Sequence, residues 1–183
     1  MGLLVISFLA LLLAPSLMPA GYSWVRHTTS ESAAQGIQGA WLARLGFLVF
    51  GWTVVWISVR LQERWPLSVR LMHATFGLLM TATAAFSTRP WFPDMTYDRI
   101  EDTLHSFAAT SMGFAFAMGV LMRFLHRGQD LAGRVMDLIA IGAAVAIPLA
   151  MSAFPEWDGL LQRGMFATAY IWYGFELLRQ GCY

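Results

Sequence analysis

The chain has 183 residues, of which 57% are hydrophobic and 13% are charged, and its formal net charge is +1. A soluble core of this size cannot bury so large an apolar fraction, because a domain of about 150 residues still leaves roughly 30% of its surface in water. Soluble, disordered and collagen-like classes are therefore excluded. The near-neutral charge argues against nucleic acid as a partner. The single cysteine, Cys182, excludes an internal disulfide and a thiolate metal cluster.

Six apolar segments approach the length of about 20 residues that a helix needs to cross roughly 30 Å of hydrocarbon. They cover Gly2–Met18, Trp41–Val59, Leu71–Ser87, His105–Phe124, Val135–Phe154 and Gly164–Leu178. Helices satisfy their backbone polar groups within one segment, and the run LLVISFLALLLA lacks the two-residue alternation of a barrel strand. We therefore predict an all-α fold, a polytopic integral membrane bundle of six transmembrane helices. Residues 1–183 would form this single domain, with no soluble domain.

The charged residues predict an orientation for this bundle. All twelve basic residues are arginine, and seven of them fall on the side that carries both chain ends. This bias favours a multi-pass protein with both termini in the cytoplasm. The first segment has no preceding Lys or Arg and no clean cleavage site, so we expect it to be retained as a helix. Small residues such as Ala109, Gly113 and Ala117 predict close packing of helices four and five.

Asp102 and His105 are the first candidate site on the opposite, outer side. Residues three apart share one face of a helix, and a carboxylate beside an imidazole can fix its tautomer for acid–base chemistry. In the alternative interpretation, Asp102 or Thr103 caps the helix and His105 makes one hydrogen bond. Both interpretations remain open on the sequence alone.

Arg163 is the second candidate, because an arginine at the start of helix six needs an acidic partner or a lipid phosphate. Glu31, Asp158 and Asp102 are the possible acidic partners. We expect catalytic candidates among His105, Asp102 and Glu31, and binding of a substrate or lipid head group by Arg163, Gln162, Arg89 and His27. Glu176 is explained by snorkelling to the membrane surface or by a pair with Arg179 one turn away, and Asp137 by its nearness to Arg134.

Metal and cofactor motifs are weak in this chain. The four histidines lie apart without an HExxH or CxxC pattern, so no metal site is predicted. Two histidines at matching depth could ligate haem, so haem or a pigment remains the less favoured alternative to bound lipid alone. The nucleophile elbow and the phosphate-binding and dinucleotide-binding fingerprints are all missing from the sequence.

Three stretches resemble a known family. These are AGYSWVRHTTSESAAQG (Ala20–Gly36), EDTLHSFAA (Glu101–Ala109) and GLLQRGMF (Gly159–Phe166). They are similar to the first loop, the start of helix four and the start of helix six in the domain-of-unknown-function family 998, small polytopic prokaryotic membrane proteins. The chain departs at FSTRP (Phe86–Pro90), where Arg89 replaces the acid of typical members. The resemblance implies a multi-pass architecture in the inner (plasma) membrane, and no reaction.

Two functions follow as expectations. The favoured one is a non-catalytic subunit or scaffold of a larger membrane protein complex, partnered by the bilayer and by other membrane subunits or its own copies. The alternative is a small intramembrane enzyme or lipid-handling protein with an outward-facing polar site around His105 and Arg163. A transporter ranks last, because inverted repeats and midplane charges are not evident in the sequence.

Overall fold

The computed structural model describes residues 1–179, so Cys182 lies outside the described residues. Within that range the protein contains six α-helices and no strand, which confirms the all-α prediction. The helices are α1 Gly2–Leu13, α2 Trp41–Arg60, α3 Leu67–Ala85, α4 Arg99–His126, α5 Leu131–Ala153 and α6 Asp158–Leu178. Short 3-10 turns follow α1 at Ala14–Leu17, lie in the first loop at Glu31–Ala33 and precede α6 at Pro155–Trp157.

Three of these helices, α2, α4 and α5, are long and apolar enough to cross a membrane. The run Gly2–Leu17 is apolar but shorter. Large hydrophobic side chains are exposed along the outer faces of the helices, as in Phe114 and Leu149, which are 74% and 67% exposed. Apolar surface of this extent is unusual for a soluble monomer, and it indicates a membrane protein.

Local chemistry explains where the helices depart from the predicted segments. Helix α1 ends at Leu13, and a 3-10 turn with Pro15 near its start continues the chain, because proline cannot donate an intrahelical hydrogen bond. Helix α4 begins at Arg99, well before the predicted start, because the Asp98 carboxylate accepts hydrogen bonds from the nitrogens of Ile100 and Glu101. The 28 residues of α4 extend about 42 Å at 1.5 Å per residue, which is longer than the hydrocarbon core.

Consecutive helices pack against each other, and α6 also contacts α1. Helices α2 and α3 approach closely, since a Cβ on Gly51 would come within 2.5 Å of the Gly77 carbonyl oxygen. Aromatic side chains of α6 reach the other helices: Tyr170 stacks on Phe50 at 4.2 Å between ring centroids, and Trp172 meets Phe116 edge to face. Helix α6 therefore packs into a core that α2 and α4 also form.

The bundle has two ends that differ in chemistry. We call the end formed by residues 14–40, 86–98 and 154–157 the first-loop end, and the end formed by residues 61–66 and 127–130 the arginine end. At the first-loop end, the Gln35 amide bridges the two loops by donating to the carbonyl oxygens of Ser87 and Asp98. Its own oxygen accepts from Asp98 N at 2.7 Å. The loops are thus joined to each other as well as to the helices.

Candidate functional site

Arg163 binds the first loop through backbone oxygens. Its Nη1 donates to the carbonyl oxygens of Trp24 at 2.7 Å and His27 at 3.0 Å, and its Nη2 donates to the Tyr22 hydroxyl at 2.6 Å. Within residues 1–179 it forms no salt bridge, so the predicted acidic partner is wrong. Burial raises the pKa of the Tyr22 phenol, and the Arg163 charge offsets only part of that shift. Arg163 therefore fastens the loop to α6.

Gln162, Glu31 and His27 also serve the first loop. The Gln162 side-chain oxygen accepts from Ser30 N at 3.2 Å. Glu31 accepts from the nitrogen and hydroxyl of Thr28 at 2.6 and 3.0 Å. The His27 Nδ1 accepts from Ser23 N at 2.9 Å, and the imidazole ring stacks on the indole of Trp91. Each of these groups is bonded within the loop or to it.

Asp102 and His105 lie close in the chain but bond to different groups. The Asp102 carboxylate accepts from the Thr88 hydroxyl at 3.1 Å and from Arg89 N at 2.8 Å. The buried His105 ring donates from Nδ1 to the Phe86 carbonyl oxygen at 2.8 Å. No hydrogen bond joins Asp102 to His105 in the described part of the chain, so the structure does not form the dyad; the single hydrogen bond of His105 agrees with the alternative interpretation. Asp98, not Asp102, caps α4. Both side chains secure the connection between α3 and α4.

An apolar cavity of about 520 Å³ opens between α3, α4, α5 and α6. Small and flexible residues form most of its wall, including Ala109, Gly113 and Ala117 of α4 and Met165 of α6. No heavy atom outside the local backbone lies within 4 Å of the position that a Cβ on Gly113 would take. Helices α4 and α5 do contact each other, but Ala109, Gly113 and Ala117 line the cavity and leave space beside that contact.

Polar side chains line the apolar cavity at its first-loop end. Gln162 and Ser30, which are hydrogen-bonded to each other, line it there together with Thr83 of α3. Pro148 of α5 stands in the facing wall. The cavity therefore joins a hydrocarbon-like interior to a small number of fixed hydrogen-bonding groups, which is the usual composition of a small-molecule site.

A buried ionic network occupies the arginine end. The Arg127 guanidinium donates two hydrogen bonds to Asp137, at 2.6 and 2.8 Å. Its Nη2 also donates to Glu176 at 2.6 Å. The two carboxylates also accept hydrogen bonds from indole N–H groups: Trp172 donates to Asp137 at 2.8 Å, and Trp65 donates to Glu176 at 2.9 Å. The Asp137 side chain is wholly buried. The network joins α4, α5 and α6 to the loop after α2.

The partners in this network differ from those expected. Glu176 is paired with Arg123 and Arg127, and Arg179 is paired with Asp130 at 2.8 Å. Asp137 bonds to Arg127 instead of Arg134. Burial alone would raise the pKa of Asp130, but hydrogen bonds from Gly133 N and Arg179, with the nearby arginine charges, hold that pKa below its usual value.

Sequence reasoning missed this network, although a signal for it exists. On α6, Glu176 continues the buried face that carries Ala169, Trp172 and Tyr173, at the spacing of three and four residues that marks one side of a helix. On α5, Asp137 lies on the same face as the buried residues Gly133 and Ala140. A charge on a buried face predicts a buried partner.

A histidine–tyrosine pair lies between the ionic network and the apolar cavity. The His73 Nδ1 and the Tyr173 hydroxyl are 2.8 Å apart, and both side chains are fully buried. The His73 ring packs on Trp65 and Trp172, the two indoles that bond to the acids. Among residues 1–179, no group of three or more His, Cys, Asp or Glu side chains is arranged to hold a metal ion.

The helices and buried charges described above define a helical bundle with membrane-like helices. The family model described as protein of unknown function (DUF998) matches residues 3–175. The chain belongs to this family, which confirms the resemblance carried by its first loop and by the starts of helices four and six. Comparisons with curated proteins and with solved structures gave no match.

Replacing Arg163 with Gln should loosen the first loop, because the carbonyl oxygens of Trp24 and His27 and the Tyr22 hydroxyl lose a charged donor. Hydrogen bonds to charged groups contribute about 1.5–3 kcal/mol, so amide hydrogen exchange over residues 22–31 should accelerate by roughly tenfold or more. Arg89→Gln is the matched control, since Arg89 is exposed and bonds to Asp102 through its backbone nitrogen. Equal exchange rates in the two variants would contradict the assigned role of Arg163.

Asp137→Asn should destabilise the fold strongly. Breaking a buried ion pair by neutralising one partner costs about 3–5 kcal/mol, and the loss is measurable as a lower free energy of unfolding in a detergent titration. Asp94→Asn, in the exposed loop before α4, changes the same formal charge and should leave stability within about 0.5 kcal/mol. Comparable stability of the two variants would show that the Arg127–Asp137 pair contributes little.

Proposed function

We propose that the protein is a multi-pass membrane protein that binds the hydrocarbon part of a lipid or a similar apolar molecule in the apolar cavity. The observation that carries this proposal is the cavity itself, about 520 Å³ in volume, within the range of roughly 300–1,000 Å³ that is usual for ligand sites. Its wall of alanine, glycine, methionine and phenylalanine suits a hydrocarbon chain. Gln162 and Ser30 at its first-loop end suit a polar group of the same molecule.

The polar residues of the first-loop end support binding without catalysis. Arg163 and Asp102 use their side chains to hold loops in place, and His105 bonds to a carbonyl oxygen. An acid–base step at these residues therefore has no support from their geometry. The cavity favours lipid handling over a role as a non-catalytic subunit or scaffold, because a purely structural subunit has no need of an open apolar cavity.

We further propose that all six helices span the inner (plasma) membrane, with both termini in the cytoplasm. Support comes from the packing of consecutive helices against each other and from the seven arginines that lie at the arginine end or close to it. Cytoplasmic loops carry an excess of such residues. A less apolar helix such as α3 can also span the membrane, because neighbouring helices shield its polar side chains from lipid.

Cysteine accessibility tests this orientation. In a Cys182→Ser background, an impermeant maleimide added to intact cells should label Arg26→Cys at the first-loop end. It should label Glu63→Cys at the arginine end only after lysis. Both positions are exposed. The reverse pattern would invert the topology, and labelling of both sites in intact cells would contradict an odd number of spans between them.

Photolabelling tests the lipid site. The protein is reconstituted into phosphatidylcholine vesicles that contain a phosphatidylcholine with a diazirine in its acyl chain. Labels should map to cavity residues such as Met112 and Phe166, as well as to the lipid-facing surface. Gly113 lines the cavity, and a Cβ there meets no atom within 4 Å, so Gly113→Leu should fill part of the cavity and reduce the cavity labels several-fold. The substitution reduces the volume of the cavity and leaves its other lining residues unchanged.

Gly142→Leu is the matched control, since it adds the same side chain at another open position that does not line the cavity. It should leave the cavity labels unchanged. Labels confined to the outer surface of the wild-type protein, or equal cavity labelling in the two variants, would sink the proposal. Comparable unfolding midpoints of the two variants establish that both are folded.

A further inference from the structure

The wall of the apolar cavity carries no ionisable side chain in the described part of the chain. Most of its residues are alanine, methionine and phenylalanine, and the polar ones are amides or hydroxyls: Ser30, Thr83, Thr110, Gln162 and Thr168. A carboxylate or phosphate placed among these groups would lose its hydration and gain no opposite charge, which is costly in an apolar medium. The composition of the wall therefore disfavours a charged ligand.

Arg163 follows Gln162 in α6, but it does not supply the missing opposite charge. Adjacent residues of a helix point about 100° apart, and the Arg163 guanidinium is held by the first loop. It donates to the carbonyl oxygens of Trp24 and His27 and lies 4.7 Å from the centroid of the Trp24 ring. Arg163 is not among the residues that line the cavity.

Gln162 and Ser30 offer the cavity hydrogen-bond donors that the fold does not use. The Gln162 oxygen accepts from Ser30 N, but over residues 1–179 the Gln162 amide nitrogen and the Ser30 hydroxyl form no hydrogen bond. The amide nitrogen carries two N–H groups, and the hydroxyl carries one O–H group. The carbonyl or hydroxyl oxygen of a ligand can accept from these donors without any charge being buried.

The position of the cavity's opening also favours an uncharged ligand. Phe114 of α4 and Val145 of α5 line the cavity, yet they are 74% and 54% exposed on the outer surface. Each lies near the middle of its helix, so the cavity opens between the middles of α4 and α5. The middle of a spanning helix lies in hydrocarbon, where an ionised group is costly and an uncharged one is not.

We propose that the apolar cavity selects an uncharged lipid whose carbonyl or hydroxyl oxygen accepts a hydrogen bond from the Gln162 amide. This inference rests on the proposed lipid site and adds the chemical class of its ligand. Diacylglycerols and isoprenoid quinones both have this chemistry. Fatty acids and phosphatidic acid do not, because a carboxyl group and a phosphate monoester are ionised at neutral pH.

The direct test compares two photoprobes on the wild-type protein in phosphatidylcholine vesicles. One is a diacylglycerol and the other a phosphatidic acid, with identical acyl chains that carry the same diazirine. Labels on Trp52, which is exposed on the outer face of α2, correct for the amount of each probe at the protein surface. After this correction, the diacylglycerol should label Met112 and Phe166 at least roughly tenfold more than phosphatidic acid does, because only the latter buries an unpaired charge.

Gln162→Glu tests the hydrogen bond to the ligand. At pH 8 the new carboxylate still offers an oxygen to Ser30 N but has no N–H group for the ligand, so cavity labelling by the diacylglycerol should fall several-fold. Gln38→Glu is the matched control, because Gln38 is exposed in the first loop and does not line the cavity. It should label as the wild type does, and unfolding midpoints establish that both variants are folded.

Competition distinguishes the two sources of the ligand. Unlabelled dioleoylglycerol or a short-chain ubiquinone is added to vesicles that contain the diacylglycerol probe, with oleate as the charged comparison. Stronger displacement by the glyceride or by the quinone identifies that lipid as the preferred ligand, and either result supports an uncharged ligand. Displacement by oleate at the same mole fraction, equal to that by both uncharged lipids, would overturn the proposal.

The failure of this inference differs from the failure of the lipid site itself. Equal labelling of Met112 and Phe166 by the two photoprobes would overturn the selection of an uncharged lipid and leave the lipid site standing. Equal cavity labelling in Gln162→Glu and Gln38→Glu would overturn the hydrogen bond assigned to Gln162. Cavity labels missing with both photoprobes and with the phosphatidylcholine probe would overturn the lipid site and this inference together.

Discussion

The buried guanidinium of Arg127 is the interaction on which the arrangement of the last three helices depends. A charge removed from water needs close partners, because desolvation costs several kcal/mol for each ion. Arg127 meets this requirement with Asp137 of α5 and Glu176 of α6. Each carboxylate also accepts a hydrogen bond from an indole N–H group, Asp137 from Trp172 and Glu176 from Trp65. Satisfying one buried cation thus fixes the relative positions of α4, α5, α6 and the loop after α2.

The same network determines what the middle of the bundle contains. Trp65 and Trp172, held by the acids, form two sides of the environment of His73, and the Tyr173 hydroxyl bonds to that ring. This aromatic layer separates the arginine end from the apolar cavity. The protein therefore has a charged compartment and an apolar compartment, each lined in part by α4 and α6, with a close-packed aromatic region between them.

The sequence predicts the helices better than it predicts the contacts of their polar residues. Apolar runs identify six helices because burial of hydrocarbon dominates the energy of each segment. Polar partners depend on which loops meet, and spacing along one helix cannot reveal that. Arg163 was expected to matter, but its partners are carbonyl oxygens contributed by any residue type. The sequence pairs Glu176 with Arg179, its neighbour along α6. Its actual partner, Arg127, becomes evident only when the buried face of α6 is known to point toward the end of α4.

The order of the network residues along the chain has a consequence for biosynthesis. Arg127 and Asp137 belong to adjacent segments, so their pair can form as soon as α5 is made. Glu176 is synthesised later, and it meets an arginine that is already oriented by Asp137. We therefore expect the Arg127–Asp137 pair to be in place when α6 packs against α4 and α5. Packing of α6 also places the Tyr173 hydroxyl against the His73 ring, so the aromatic layer is complete only once this last helix is in position.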